Sequence, residues 1–299
     1  MNEKKKSIKW RPASTVILVR EREEGLQIYL LKRSGKSGFF PGYYVFPGGA
    51  VEEDDHIGLP RAEFADVSRE IFIERLGGGL NTEEAVSYAV SAIRETFEEA
   101  GVLLADRKDH PREERRELCK RRMDEGLRNG WFRECILSGG WFLTFSRLGR
   151  WAHWITPRLM RIHFDTRFFM AFMPQDQDCL PDERETVHGI WVSPENALKA
   201  NHEGEIALSP PTLVTLQELL VYKELSNLQN AVKTRPWGEP RFPRLVPLQE
   251  GALILQPWDP MRYREVTVDV GRLEQKILPV GVPFSRLWLH QGIWRPVET

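Results

Sequence analysis

Glu95, Glu98 and Glu99 stand at i, i+3 and i+4 in the run Arg94-Glu95-Thr96-Phe97-Glu98-Glu99-Ala100-Gly101-Val102. On a helix these offsets bring three carboxylates onto one face. Like charges held that close repel, so the cluster reads as a cation site, and hard oxygen ligands favour Mg2+ or Mn2+. A divalent ion can neutralise the oxygens of a diphosphate, clamp the bridging group and activate water. Arg94, beside Glu95, can hold one carboxylate in place through a charge-assisted hydrogen bond. The residue types therefore point to metal-assisted cleavage of a diphosphate. A second glycine-rich element, Phe46-Pro47-Gly48-Gly49, lies far upstream, and glycine lets backbone approach a ligand closely.

The elements that must position these groups follow from periodicity and punctuation. Pro12 to Arg20 and Leu26 to Leu31 read as strands joined by a charged turn ending at Gly25. Residues 34–49, with Gly35, Gly38, Gly42, Gly48 and Gly49, read as a loop. An insertion over 50–81 contains an amphipathic stretch from Arg61 to Leu76 that predicts a helix. Asn81 or Thr82 then caps the carboxylate-bearing helix, and Gly101 ends it. Val102 to Leu104 predicts a short strand, and 106–128 a solvated, charge-laced helix or a cationic rim. Phe164 to Phe172 and Gly189 to Val192 read as strands, Ser193-Pro194-Glu195 opens a helix, and Pro210 to Asn230 reads as one long helix. Pro236, Pro240, Pro243 and Pro247 resemble a linker, after which strands are expected at Ala252–Gln256, Glu265–Val270 and Ser285–His290.

Composition narrows the functional classes. A chain of 299 residues with 41% apolar and 28% charged content is that of an ordinary globular protein. A net charge of −1 gives no global pull toward nucleic acid or an anionic membrane. Cys119, Cys135 and Cys179 lack metal-type spacing and read as free thiols. No apolar run approaches the ~20 residues of a membrane span. The basic start lacks an apolar segment of the signal-peptide kind, and Pro296-Val297-Glu298-Thr299 is not a peroxisomal-type ending, so a cytoplasmic setting is expected. His163 and His188 read as structural.

The glutamate run with Gly49 resembles the box of the Nudix hydrolases: glycine, five residues, glutamate, seven residues, then Arg-Glu-apolar-any-Glu-Glu-any-Gly-apolar. Arg94 to Val102 matches its distal half except for Thr96 at an apolar position. The resemblance implies a Nudix α/β/α sandwich with a mixed sheet, here followed by a C-terminal β-rich extension. It implies Glu98 and Glu99 as metal ligands, Glu95 as a further ligand or catalytic carboxylate, and Gly48 as donor of a backbone carbonyl to Mg2+ or Mn2+. Gly49 to Arg94 is a step of 45 where the box has fourteen, an insertion of about 30 residues. Six beyond Gly49 stands Asp55, so Glu52, Glu53 and Asp55 are the candidates for the box's first glutamate. The Nudix domain is expected over 10–230 and the extension over 231–299.

A split box of this kind resembles the coenzyme A diphosphatase branch of the family. Phe164-Asp165-Thr166-Arg167-Phe168-Phe169, Pro174-Gln175-Asp176-Gln177-Asp178 and Pro210-Pro211-Thr212-Leu213 are similar to it as well. That branch carries an upstream signature, Leu-Leu-Thr-any-Arg-Ser, three residues, Arg, three residues, Gly, three residues, Phe-Pro-Gly-Gly. Tyr29 to Ser34, Gly42 and Phe46 to Gly49 fit its spacing, with Gly38 in place of the second arginine, Leu31 of the threonine and Tyr29 of the first leucine. The resemblance implies substrate contacts at Arg33, Gly42, Phe46 and Gly49. Arg167 is a further candidate, or a buried partner of Asp165. Glu185, before the Trp191 strand, is a candidate ligand or general base, or a surface charge. The expected activity is hydrolysis of the coenzyme A or acyl-coenzyme A diphosphate, without nucleic-acid or membrane partners and with room for a homodimer. The alternatives are a hydrolase of ADP-ribose or another nucleoside diphosphate derivative, and a noncatalytic nucleotide-binding module.

Overall fold

The computed structural model describes residues 8–56, 64–109, 112–124, 130–182, 186–266 and 268–298. Its framework begins with β1 (Arg11–Arg22) and β2 (Gly25–Arg33), a hairpin with Val19 opposite Ile28 and Gly25 at φ +101° in the turn. Beyond that pair each strand takes a new partner. β3 (Tyr44–Val45) pairs with β2, while β4 (Gly48–Ala50) pairs with β1 and sets Thr15 opposite Gly48. The chain then passes through α1 (Arg69–Phe72), α2 (Thr82–Ala100), β5 (Ala105–Asp106), α3 (Arg112–Asp124), α4 (Trp131–Ser138) and β6 (Phe142–Leu143). β7 (Leu148–Ile155), β8 (Phe164–Phe172) and β9 (Thr186–Val192) complete the main sheet.

The sheet follows the order β3-β2-β1-β8-β7, with β9 on β2 and β4 on β1. β1 and β8 run parallel and the hairpins antiparallel, so the sheet is mixed, as expected. Alternation along β1 sends Val16 and Leu18 to one face and Ile17 and Val19 to the other. The first face packs on α2 and α4 through Ala89, Ile93, Phe97 and Phe132. The second packs on α5 (Pro194–Glu203), α6 (Pro210–Leu219) and α7 (Leu225–Thr234). The architecture is the α/β/α sandwich.

α2 is defined by its ends. Asn81 and Glu84 form a reciprocal capping box, with Asn81 Oδ1 accepting from the Glu84 amide at 2.9 Å and Glu84 Oε2 from the Asn81 amide at 3.1 Å. Gly101 closes the helix at φ +71°. Thr96, at an otherwise apolar position, is buried with its hydroxyl satisfied, donating to the Ala92 carbonyl at 2.7 Å.

Several local expectations differ from the structure. Of the helix expected over 61–76, residues 61–63 lie outside the described residues, and Phe64 to Asp66 run alongside β6 through backbone bonds to Leu143. Ser68 caps a shorter helix at Arg69. Val102 to Leu104 is not a strand, because the Gln177 side-chain amide takes both the amide and carbonyl of Leu103 at 2.8 and 2.9 Å. The helix expected over 210–230 is two, broken where the Leu225 amide turns to the Glu21 carboxylate at 3.0 Å. α3 is not merely solvated: Arg115 binds Asp176 at 2.5 Å, and Arg122 is 2% exposed.

The proline-rich segment lies along the edge of β7, where Arg241 exchanges backbone bonds with His153 and Ile155 at 2.7 and 2.9 Å. Beyond it, β10 (Arg244–Pro247), β11 (Ala252–Leu255), β12 (Arg286–His290) and β13 (Ile293–Val297) form an antiparallel sheet in chain order. Ile254, Leu287 and Trp294 of that sheet enter the core beneath the main sheet. The strand expected at 265–270 is absent among the described residues, where Val270 begins a 3-10 turn.

Trp237 ties the insertion to this strap. It is buried, its indole donates to the Leu76 carbonyl at 3.1 Å, and its ring packs edge-on against Phe169 at 5.0 Å. Trp237→Ala is expected to destabilise the fold by about 3–5 kcal/mol. Urea unfolding will measure that loss, and hydrogen exchange will show amides around Leu76 losing protection first.

Candidate active site

The last two turns of α2 carry the carboxylates, and Arg94 organises them. Its Nε and Nη2 bind Asp55 Oδ1 and Oδ2 at 2.8 and 2.9 Å, a two-point pairing. Nη1 binds Glu95 at 2.8 Å and Glu98 at 2.7 Å, and Nη2 also donates to the Ala50 carbonyl at 2.9 Å. Asp55 is 1% exposed, sits in a 3-10 turn, and accepts the Glu52 amide at 2.8 Å. Of the three acids considered for the first box glutamate, Asp55 is the one that meets Arg94. The insertion therefore follows Asp55 and leaves the two halves of the box joined.

The glycines are required by close approach. The Gly48 amide donates to Glu99 Oε2 at 2.8 Å. A Cβ at Gly48 would collide with the Ser14 carbonyl, and one at Gly49 with the Glu95 carboxylate. Both collisions follow from pairing β4 to β1 directly under α2.

Burial dominates the electrostatics. It pushes the Glu95 carboxyl well above its ordinary range, a rise opposed by Arg94 and increased by Glu99 and Glu98. It pushes Glu98 up to about 6, opposed by Arg94 and assisted by Glu52 and Asp55. Among the described residues no three such side chains stand as a finished metal cage. Arg94 holds Glu95 and Glu98, and Glu99 is turned to the Gly48 amide. The donor set nevertheless fits a divalent cation: hard oxygens, crowded and partly desolvated, whose ionised forms a cation would relieve.

These groups line a cleft of about 500 Å3. Glu95, Glu98, Glu99, Arg94, Gly48, Gly49, Phe46 and Arg33 all line it. Arg33 Nε donates to Ser37 Oγ at 2.9 Å. Gly42 is not a lining residue; at φ +79° it returns its amide to the Arg33 carbonyl at 3.2 Å and so shapes the loop behind Arg33. Arg167 lies on the other face of β8, 8% exposed, over the rings of Tyr88 and Trp237 at 5.7 and 5.2 Å. Its neighbour Asp165 pairs with His153 at 2.6 Å. Burial opposes ionisation of Asp165, but the bond from His153 and the charges of His153 and Arg167 hold its carboxyl below the usual range. Glu185 lies outside the described residues.

Asp182 is a lining residue that spacing did not single out. It is 7% exposed and accepts the Thr186 amide and hydroxyl at 3.0 and 2.6 Å. In sequence it is one of three acids within four residues, and nothing there separates it from Glu185. Pro210, Pro211 and Thr212 at the start of α6, and Pro243 and Ile254 from the C-terminal part, also line the cleft.

A family model described as the NUDT19 Nudix domain matches residues 56–219. The acyl-coenzyme A diphosphatase NUDT19 of Xenopus laevis is 26% identical over 310 residues, covering 89% of this chain and 81% of the relative. The Homo sapiens protein of the same name is 27% identical over 304 residues, covering 88% and 81%. Among solved structures, a Nudix hydrolase from Alicyclobacillus acidocaldarius shares the fold with a TM-score of 0.59 at 23% identity, over 78% of this chain and all of that one. With a paired Arg94 and Asp55 at the heart of its split box, and a match over more than half its length, this chain belongs to the NUDT19 Nudix domain family.

Proposed function

We propose that the protein hydrolyses the diphosphate of coenzyme A or an acyl-coenzyme A, releasing 3′,5′-adenosine bisphosphate and 4′-phosphopantetheine or its acyl form. The observation that carries this reading is one cleft lined both by Arg94, Glu95, Glu98 and Glu99 and by the apolar Trp154, Phe164 and Pro210. Such a cleft suits a ligand with a charged centre and an apolar arm. The names of the relatives support the same substrate.

Nudix hydrolases use divalent metal ions, and we assign Glu98, Glu99 and Glu95 as the side chains that would hold Mg2+ or Mn2+, with Gly48 beside them. When bound, the metal neutralises diphosphate oxygens and makes water more acidic. Arg94, fixed by Asp55, aims Glu95 and Glu98 into the cleft, and the Gly48 amide fixes Glu99. Arg33 draws a phosphate toward the glycine turn. Glu95 and Glu185 are the candidates to accept the proton of the attacking water. The second reading, hydrolysis of ADP-ribose or a related diphosphate, draws on Gly38 standing where the coenzyme A signature has an arginine. Among the described residues no helix is long and apolar enough to cross a membrane. Three free thiols suit a reducing, cytoplasmic setting.

With Mg2+ or Mn2+, wild-type protein should cleave coenzyme A faster than ADP-ribose, and Glu98→Gln should lose at least about 100-fold in kcat. Chromatographic quantification of 3′,5′-adenosine bisphosphate tests both; intact coenzyme A beside cleaved ADP-ribose selects the second reading.

Asp55→Ala leaves Arg94 without its buried partner and should cost about 3–5 kcal/mol of stability together with most activity. Asp55→Glu restores the box residue and should retain activity, a contrast that thermal melts and turnover will resolve.

The Glu98 shift also fixes a pH dependence. Between about 4.5 and 6 the folded chain keeps a proton that the unfolded chain has released. Metal-free stability therefore falls as pH rises through that window, by about 2 kcal/mol from this group. Melts at pH 4.5 and 7 with and without Mg2+ should show metal stabilising the protein much more at the higher pH.

A further inference from the structure

We propose that Arg11, assisted by Arg158, forms a subsite for the ribose 3′-phosphate, and so sets a preference for coenzyme A over substrates that lack that group. The inference rests on the coenzyme A reading above and names a contact that reading leaves open. Coenzyme A carries three phosphates, of which the diphosphate belongs at the carboxylate end. The third sits on the ribose, away from the bond that is cleaved, and the cation at the carboxylates is taken by the diphosphate. It needs a cation elsewhere in the cleft.

Three arginines line the cleft, and they are not equivalent. Arg94 is fully engaged by Asp55, Glu95 and Glu98. Arg33 ends β2, before the loop that leads into the glycine turn, and donates to Ser37. Arg11 is exposed, with no carboxylate partner among the described residues, and its guanidinium lies 5.9 Å from the centre of the Phe164 ring. It opens β1, four residues before Thr15, which is paired to Gly48. In an extended strand that is about 13 Å between the two backbones; the 3′-phosphate stands six bonds from the nearer diphosphate phosphorus, and the length of the arginine side chain has to cover the rest of the separation.

The surroundings favour that placement. Phe164, under Arg11, packs against Phe39 at 5.4 Å, and both rings line the cleft, offering faces for a base. Arg158 lies on the loop joining β7 to β8, whose Pro157 and Met160 also line the cleft. Its guanidinium is held over the rings of Trp10 and Phe242 at 5.6 and 5.7 Å, again without a carboxylate partner among the described residues. Arg158 is not itself a lining residue, but it stands over Trp10, the residue before Arg11, and a guanidinium fork suits a phosphate dianion.

The test compares coenzyme A with dephospho-coenzyme A, which differ only in the 3′-phosphate, on full-length wild type, Arg11→Ala, Arg11→Lys and the Arg11→Ala/Arg158→Ala double variant. Wild type should prefer coenzyme A in kcat/KM. Arg11→Ala should narrow that preference by about 10- to 100-fold, the worth of a charge-assisted contact, with the change in KM rather than kcat. Arg11→Lys should keep part of the preference, and the double variant should bring the ratio close to one. A ratio unchanged in the variants overturns the subsite, including the case in which both substrates suffer equally. Wild type that cleaves dephospho-coenzyme A as readily as coenzyme A overturns the subsite and leaves the proposed function standing. Wild type that cleaves neither overturns both.

Discussion

The guanidinium of Arg94 is where the separate parts of this protein meet. It takes a carboxylate from the turn after β4, a carbonyl from β4 itself and two carboxylates from its own helix. An arginine so deeply placed contributes little net stability, since taking the charges out of water costs about as much as their attraction returns. Its effect is on geometry. With Asp55 occupying one edge of the fork, the remaining N–H groups have one direction in which to hold Glu95 and Glu98. The insertion can then be long without disturbing the site, because the chain is fixed at Asp55 before it leaves and at α2 when it returns.

Three carboxylates in the last turns of a helix are unfavourable twice over, through mutual repulsion and through the negative end of the helix dipole. The last turn of α2 has no basic residue of its own. Arg122 supplies one from α3: it is almost wholly buried, with one nitrogen donating to the Glu98 carbonyl and another to the Leu180 carbonyl at 2.8 Å. Arg115 fastens the same helix to Asp176. The charge-rich segment over 106–128 thus places positive charge against the helix end that bears the acidic cluster.

How much of this was legible follows from the range of each signal. The caps of α2 and the i, i+3, i+4 spacing of its glutamates are local, and each holds in the structure. Asp55 was reachable by counting six from Gly49, but the acids at 52 to 55 are distinguished only by which of them a 3-10 turn delivers to Arg94. Arg167 was ambiguous for a simpler reason. Along β8 successive residues alternate faces, so Phe164, Thr166 and Phe168 reach the cleft while Arg167 does not. The break between α6 and α7 was hidden because the Glu21 contact that marks it comes from 204 residues away.

The C-terminal part shows the same limit in its strongest form. Proline spacing and weak strand signals describe a linker and an appendage, yet the strap runs beside β7, Trp237 reaches the insertion, and Ile254 is shared between the core and the cleft wall. Apolar wall residues have no sequence signature, because any of several side chains of similar size would serve. The family match ends at residue 219, the last residue of α6, so these contacts lie beyond the matched segment. The cleft thus joins carboxylates carried by α2 to apolar lining that comes in part from a separate sheet. Division of labour of this kind follows from the packing: the carboxylates depend on α2 and β4, and Pro243 and Ile254 touch neither element's hydrogen bonds.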